Sequence, residues 1–362
     1  MVNKYLRDNR DTCIAMVIPI AILAKLVEHL FLPEKYYFDN HRILYMVNVK
    51  NYAGAWEGSY RVASDFFSRI NIFGFNTMLQ WSVFLGIICN IIVLWMLKKS
   101  IKGLDIKQCL FVLMCIGLCN IYIFNIGKDL IQFLIFLLCF LIVTADRLPY
   151  TVRVLLCVTA FYWESTFFRS YYIIIAAFIV VVYLIFKIVR TKKIKLNFVN
   201  ILFVIAMLYL CMYIFLNIAR IAMPEDYTEI LECKNMSTQL GATSVIADKI
   251  DFGTNVNLYM VNYIINSIRM VFPIELINAG VFYFPFFIFQ ILLLYYIVVN
   301  IKNIHSISNK NIIGLSCFLA YFMGSVLFEP DFGSFVRHEA GTFPVILLLF
   351  ANDNMLIENN RD

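Results

Sequence analysis

The sequence predicts an all-α fold, a polytopic transmembrane helical bundle of about ten spans with a re-entrant or interfacial helix and long outer loops. Three observations predict it. The 362 residues are 62% apolar and only 15% charged, with a mean hydropathy of +0.78, against about 45–50% apolar and 25% charged in soluble domains. Apolar runs of roughly bilayer-spanning length follow one another along the whole chain. Lysine and arginine gather in the short stretches between those runs, where topology signals belong. The net charge of +6 is therefore no nucleic-acid footprint, and the length leaves no room for a large soluble domain. A single integral membrane domain over 1–362 is expected, with outer loops at about 33–76 and 220–279.

Taken in order, the first run, 13–32, follows Lys4, Arg7 and Arg10 as a signal peptide would, but Ala21 and Ala24 have the wrong spacing for a cleavage site. An uncleaved first span is expected. Further spans are expected at 77–97, 108–125, 130–146, 150–165, 170–188, 198–219, 280–300 and 311–328. The last apolar run, Phe343 to Ala351, is too short to cross alone, so a final span must begin near Ser334 and run to 352. With the N-terminus inside, the cytoplasmic loops hold Lys98, Lys99, Lys102 and Lys107, then Arg147 and Arg153, then Lys187, Arg190, Lys192, Lys193 and Lys195. The weaker run 257–273 is assigned to the outer face, because a crossing there would move Lys302 and Lys310 outside. Both termini are then cytoplasmic.

Of the ten cysteines, only Cys233 lies in a long loop, and the others sit within or against apolar runs. No disulfide framework is expected. Cys115 and Cys119 share a helix face, but buried cysteine behaves as a small hydrophobe, and no zinc-like ligand spacing accompanies the pair.

The same topology puts the unusual charges on the outer side: Lys128-Asp129, Glu164 with Arg169, Arg220, Arg269 and the stretch Glu329-Pro-Asp-Phe-Gly-Ser-Phe-Val-Arg-His-Glu339. Charge at membrane depth costs a few kcal/mol unless paired or wetted, and marks function by default. Each feature also has a structural explanation. Asn262, Asn266 and Arg269 form a polar stripe at helical spacing that suits either a substrate groove or an interfacial helix. Glu164 and Arg169 could simply pair, Asp129 could favour its helix N-terminus, and Ser334 could cap the final span. Glu329-Pro-Asp331 has a spacing that could hold a divalent cation, although two carboxylates alone are weak grounds for a metal. His338 has both acidic and basic neighbours, as a general base near neutrality would. There is no G-x-x-x-x-G-K-[ST], no G-x-G-x-x-G and no H-E-x-x-H, which disfavours nucleotide-driven pumps, dinucleotide enzymes and zinc proteases.

Glu329-Pro-Asp-Phe-Gly-Ser-Phe-Val-Arg-His338 between two spans, with Phe168-Arg-Ser-Tyr-Tyr172 and Asn125-Ile-Gly-Lys-Asp129 at span boundaries, resembles the Wzy-type polymerases of bacterial O-antigen and capsule synthesis. Arg269 and Gly280 fit once the R-x10-G pattern that some members carry in two outer loops; a second copy is missing. The resemblance implies a membrane glycosyltransferase, a polysaccharide polymerase of the bacterial cytoplasmic membrane. A growing glycan on undecaprenyl pyrophosphate, a polyprenyl carrier, would pass to another lipid-linked repeat unit at the outer face. It implies no cofactor and no metal, partners in the bilayer, the lipid-linked oligosaccharide, a chain-length regulator and a repeat-unit flippase, and none in nucleic acid. Catalytic candidates are His338, Glu329, Asp331 and Glu339; candidates for binding the pyrophosphate are Arg337, Arg169, Arg269 and Lys128. A lipid-linked glycan ligase or other lipid-dependent glycosyltransferase, and a lipid-glycan transporter, are the competing readings.

Overall fold

The computed structural model describes residues 2–49, 57–222, 224, 227, 228, 231, 244–251, 253–280 and 283–351. Cys233, parts of both long outer segments and the end of the expected last span at 352 lie outside them. The regular structure among the described residues is helical, apart from one isolated bridge between Val245 and Asp331. Seven helices among them are long and apolar enough to cross a membrane, as a multi-pass membrane protein requires: Lys4–Leu30, Met78–Ser100, Ile106–Ile123, Tyr172–Thr191, Phe198–Ala222, Phe284–Lys302 and Asn309–Phe328. The chain divides into two compact units. The first comprises Met1–Ala176, Ile307–Leu315 and Arg337–Asp362, the second Ala177–Ser306 and Ser316–Val336.

In the first unit α1 (Val2–Leu30) packs on α4 (Met78–Ser100) and α5 (Ile106–Leu118). Short-range chemistry sets where these helices start. Thr77 accepts from the amide of Gln80, whose side chain accepts from the Thr77 amide, and Asp105 and Gln108 do the same for α5. Each pair satisfies amide donors that a helix start otherwise leaves open. A π-helical turn, Cys119–Ile123, continues α5. There Asn120 and Asn90 of α4 exchange amide hydrogen bonds of 2.7 and 3.1 Å, so both buried side chains are satisfied inside the apolar packing.

The segment 33–76, expected as a loop, forms a 3-10 turn (Glu34–Tyr37), α2 (Phe38–Val49) and α3 (Ser59–Ile70) among its described residues. α2 packs against α3, and Trp81 of α4 is buried with Phe67 and Phe75 around its ring. α6 (Lys128–Val143) has 16 residues and buries Phe133, Phe136 and Phe140 against α7 (Tyr150–Phe167) and its other neighbours. Arg153, expected as a topology signal, is itself buried. It donates to the carbonyl of Val143 (2.7 Å), which the end of α6 leaves without a partner in its own helix, and to the carbonyl of Leu148 (2.8 Å) in the turn that follows.

The expected last span does not form as one helix, which is a correction to the sequence reading. The helix Phe332–Ala340 stops at Gly341 and Thr342, a five-residue helix Phe343–Leu347 follows, and a 3-10 turn closes at Phe350. Pro344 lacks the amide a continuous helix needs, and the Thr342 hydroxyl takes the carbonyl of Glu339 at 2.7 Å. The whole run 343–351 is buried, and Asn311 fastens it by donating to the carbonyl of Leu349 at 3.0 Å. Arg337, His338 and Glu339 therefore stand at the end of a short helix, where they had been expected in the first turns of a long one.

The second unit contains most of α8 (Tyr172–Thr191), α9 (Phe198–Ala222), α10 (Val256–Val271), α11 (Glu275–Ala279), α12 (Phe284–Lys302) and the later part of α13 (Asn309–Phe328). α9 exposes Phe198, Val199, Leu202, Phe203, Ile214 and Ile218, an apolar face suited to lipid. The run 257–273 forms α10, started by Asn255, whose side chain accepts from the Asn257 amide.

Gly127 starts α6 where a side chain would not fit: a Cβ there would lie 2.6 Å from Nδ2 of Asn40. Gly127→Ala is expected to lower thermal stability by about 2 kcal/mol through overpacking, measured as a shift of the unfolding midpoint in detergent.

Candidate functional site

The site in the first unit is built on the loop 124–127, which reaches α6 from the π-helical turn. Asn40 donates to the carbonyl of Ile126 at 2.7 Å, and the Asn125 side chain accepts from the Ile126 amide and donates to Glu28. Glu28, buried near the end of α1, also accepts from Lys25 (2.9 Å) and Ser82 (2.8 Å); Lys25 in turn donates to the carbonyl of Phe124 (2.9 Å). This network gives the irregular backbone of the loop the partners it lacks in itself, as buried polar groups in an apolar surrounding require.

The loop delivers Lys128 and Asp129 to one place. Asp129 is buried and holds Arg337 Nε at 3.0 Å with Oδ2 and His338 Nε2 at 3.0 Å with Oδ1. Arg337 Nη2 reaches Asp39 Oδ2 at 3.2 Å, and Lys128 Nζ reaches the same oxygen at 2.9 Å. The Tyr60 hydroxyl donates to Asp39 Oδ1, and Lys128 lies 4.4 Å from the centre of the Tyr60 ring. Gln132 of α6 donates to the carbonyl of His338 at 3.2 Å. Arg169, close enough to act electrostatically on Lys128 and Tyr60, donates to the Tyr171 hydroxyl at 2.6 Å. With it, the cations Lys128, Arg337 and Arg169 outnumber the carboxylates Asp39 and Asp129. The Asp39 side chain is 17% exposed and that of Asp129 5%, so the cluster runs inward from a partly solvated carboxylate to a buried one.

Burial alone would raise the Asp39 carboxyl; Lys128 and Arg337 beside it and the Tyr60 hydroxyl overcome this and hold it well below the ordinary carboxylate range. The Tyr60 hydroxyl is pushed up by burial and by the Asp39 charge.

Of the residues expected from the sequence, Lys128, Arg337 and His338 meet here and Arg169 lies within electrostatic reach. Glu339 is buried in the same unit. Glu164 is fully buried, and its carboxylate oxygens have no hydrogen-bond partner among the described residues; Arg169 acts on it through space rather than through a hydrogen bond. Asp39, Tyr60 and the ligating role of Asp129 were missed. Asp39 and Arg337 stand 298 positions apart, and no periodicity connects them. Lys25 and Glu28 did carry a signal, since two charges i,i+3 apart inside an apolar span need each other.

The remaining candidates lie in the second unit. Asp331 starts the helix Phe332–Ala340 by accepting from the Ser334 amide (2.8 Å) and hydroxyl (2.9 Å), so the carboxylate, and not Ser334, provides the cap. Glu329 is buried at the end of α13. The polar stripe of α10 fastens the segment 247–250. Asn262 pairs with the backbone of Lys249 and Ile250, Asn266 donates to Asp248, and Arg269 donates to the carbonyl of Ala247. Arg269 also forks onto both oxygens of Glu275 at 2.8 Å, which lowers that carboxyl below its ordinary range. Among the described residues no group of His, Cys, Asp and Glu side chains comes together as a metal cage would. Comparison with family models, curated proteins and solved structures finds no match to this chain.

Asp129→Asn is expected to destabilise the first unit by about 3 kcal/mol, because it leaves buried partners without their counter-charge; chemical unfolding of the purified variant measures this. The depressed Asp39 carboxyl stabilises the fold fully above its unfolded value near about 3.9. That contribution is lost as pH falls through the lower folded value. The stability difference between wild type and Asp39→Asn should therefore be constant from neutral pH down to about 5 and shrink at more acid pH, as unfolding midpoints across pH will record.

Proposed function

We propose that the chain polymerises lipid-linked oligosaccharide repeat units into a surface polysaccharide, as a metal-independent glycosyltransferase at the outer face of a bacterial cytoplasmic membrane. The observation that carries this reading is the meeting of Arg337, Lys128 and the Asp129–His338 pair in one partly solvated cluster of a chain suited to crossing a membrane. The resemblance of the stretches around Lys128, Arg169 and Arg337 to Wzy-type polymerases supports it.

The chemistry follows from the contacts. A hydroxyl of the acceptor repeat unit attacks the anomeric carbon of the donor glycan, a new C–O bond forms, and the bond to the polyprenyl pyrophosphate breaks. Negative charge develops on the departing pyrophosphate, where Arg337, Lys128 and Arg169 can stabilise it. His338 is the base we favour over Glu329, Asp331 and Glu339. His338 Nε2 lies 3.0 Å from Asp129 Oδ1, and the Asp129 charge stabilises the imidazolium that forms when the ring takes the proton of the attacking hydroxyl. The donor bond is already activated by its pyrophosphate, so the reaction needs no nucleotide.

A lipid-glycan transporter is the second reading, favoured by the buried Lys25–Glu28 pair of α1, since charges within membrane helices also mark transport pathways.

Arg337→Ala is expected to remain in the membrane while the cell's surface glycan collapses from a ladder to single repeat units, read by gel electrophoresis with membrane protein level as control. A normal ladder would remove Arg337 from the reaction, and loss of all surface units would favour transport.

A further inference from the structure

We propose that Asp39 is a tethered competitor of the substrate's pyrophosphate, occupying the phosphate position of the site until a more highly charged anion displaces it. The inference rests on the reading of this cluster as the pyrophosphate-binding part of the site and adds to it a residue that sets which anions enter.

The geometry of Asp39 is that of a bound anion. Lys128 Nζ at 2.9 Å and Arg337 Nη2 at 3.2 Å converge on Oδ2, and the Tyr60 hydroxyl donates to Oδ1. An ammonium, a guanidinium and a phenol converging on paired oxygens form the donor set a phosphate group takes. The two carboxylates of the cluster differ in what else they do. Asp129 is buried and serves both Arg337 and His338, so removing it strands their charges. Asp39 is the more exposed of the two and sits in the first turn of α2. Its neighbour Asn40 keeps α2 in place through the Ile126 carbonyl.

Because Lys128 and Arg337 hold the Asp39 carboxyl well below its ordinary range, it stays charged at physiological pH. A proton therefore does not release it, and an anion must. A phosphodiester carries one charge and would exchange one monoanion for another. A pyrophosphate carries more, and Arg169 stands close enough to Lys128 to add to its attraction. The resident carboxylate thus selects for pyrophosphate over singly charged phosphate esters, and it shields the cations from each other while the site holds no substrate.

The test is titration of the full chain in nanodiscs with inorganic pyrophosphate by calorimetry. Asp39→Asn keeps the shape and removes the charge, and should tighten pyrophosphate binding about tenfold while narrowing its advantage over dimethyl phosphate. Asp39→Ser, which also removes the charge and leaves both cations and the Tyr60 hydroxyl unchanged, should tighten it by a similar factor and serves if Asp39→Asn does not fold. Polyprenyl pyrophosphate in the same discs identifies the source. Displacement of the inorganic anion assigns a lipid headgroup and no displacement a free anion, and the effect of Asp39 stands in either case. Unchanged or weaker pyrophosphate binding in the variants that fold would overturn the inference, whatever the glycan ladder shows. Tighter binding beside a normal ladder in Arg337→Ala would uphold the competition by Asp39 and remove Arg337 from the polymerase reaction.

Discussion

The Asp129 carboxylate is the interaction on which the first unit depends. It lies buried at the start of α6 and holds a guanidinium on one oxygen and an imidazole on the other. A charge in such surroundings is tolerable only when it is paired and hydrogen-bonded. Asp129 therefore ties α6 to the end of the helix Phe332–Ala340, and Arg337 extends the tie to Asp39 of α2. Three stretches far apart in sequence become one site because each brings a charge that the others neutralise.

Polar scaffolding behind that site keeps it in place. The loop 124–127 has no regular structure, and Lys25, Asn40, Asn125 and Glu28 take up its backbone groups or brace those that do. Arg153 provides the same service at the far end of α6. The second unit repeats the principle in another chemistry. The polar stripe of α10 is spent on the backbone of 247–250, and Asp331 is spent on a helix cap. Side chains so engaged have a structural role that accounts for their presence without a ligand.

Much of the helical framework was legible in the sequence because its cause is local. Apolar runs of sufficient length make helices wherever they stand, and Thr77 with Gln80 or Asp105 with Gln108 mark starts through residues only three apart. The final run failed as a span for an equally local reason, Gly341 and Pro344, which apolar content alone outweighed in the sequence reading. The helices inside 33–76 were passed over because α2 and α3 are too short to register as spans.

By itself the sequence determined an all-helical chain with segments apolar enough for a bilayer, and it flagged Lys128, Arg169, Arg337 and His338 as charges in costly places. Only the tertiary structure decided their company. Whether Arg337 meets Asp129, whether Lys128 meets Asp39, and whether Glu164 meets any donor are questions about residues tens to hundreds of positions apart. Hydropathy and helical period reach only a few turns along one chain segment. Pairing of buried charge acts through space, so the partners emerge when the segments are packed.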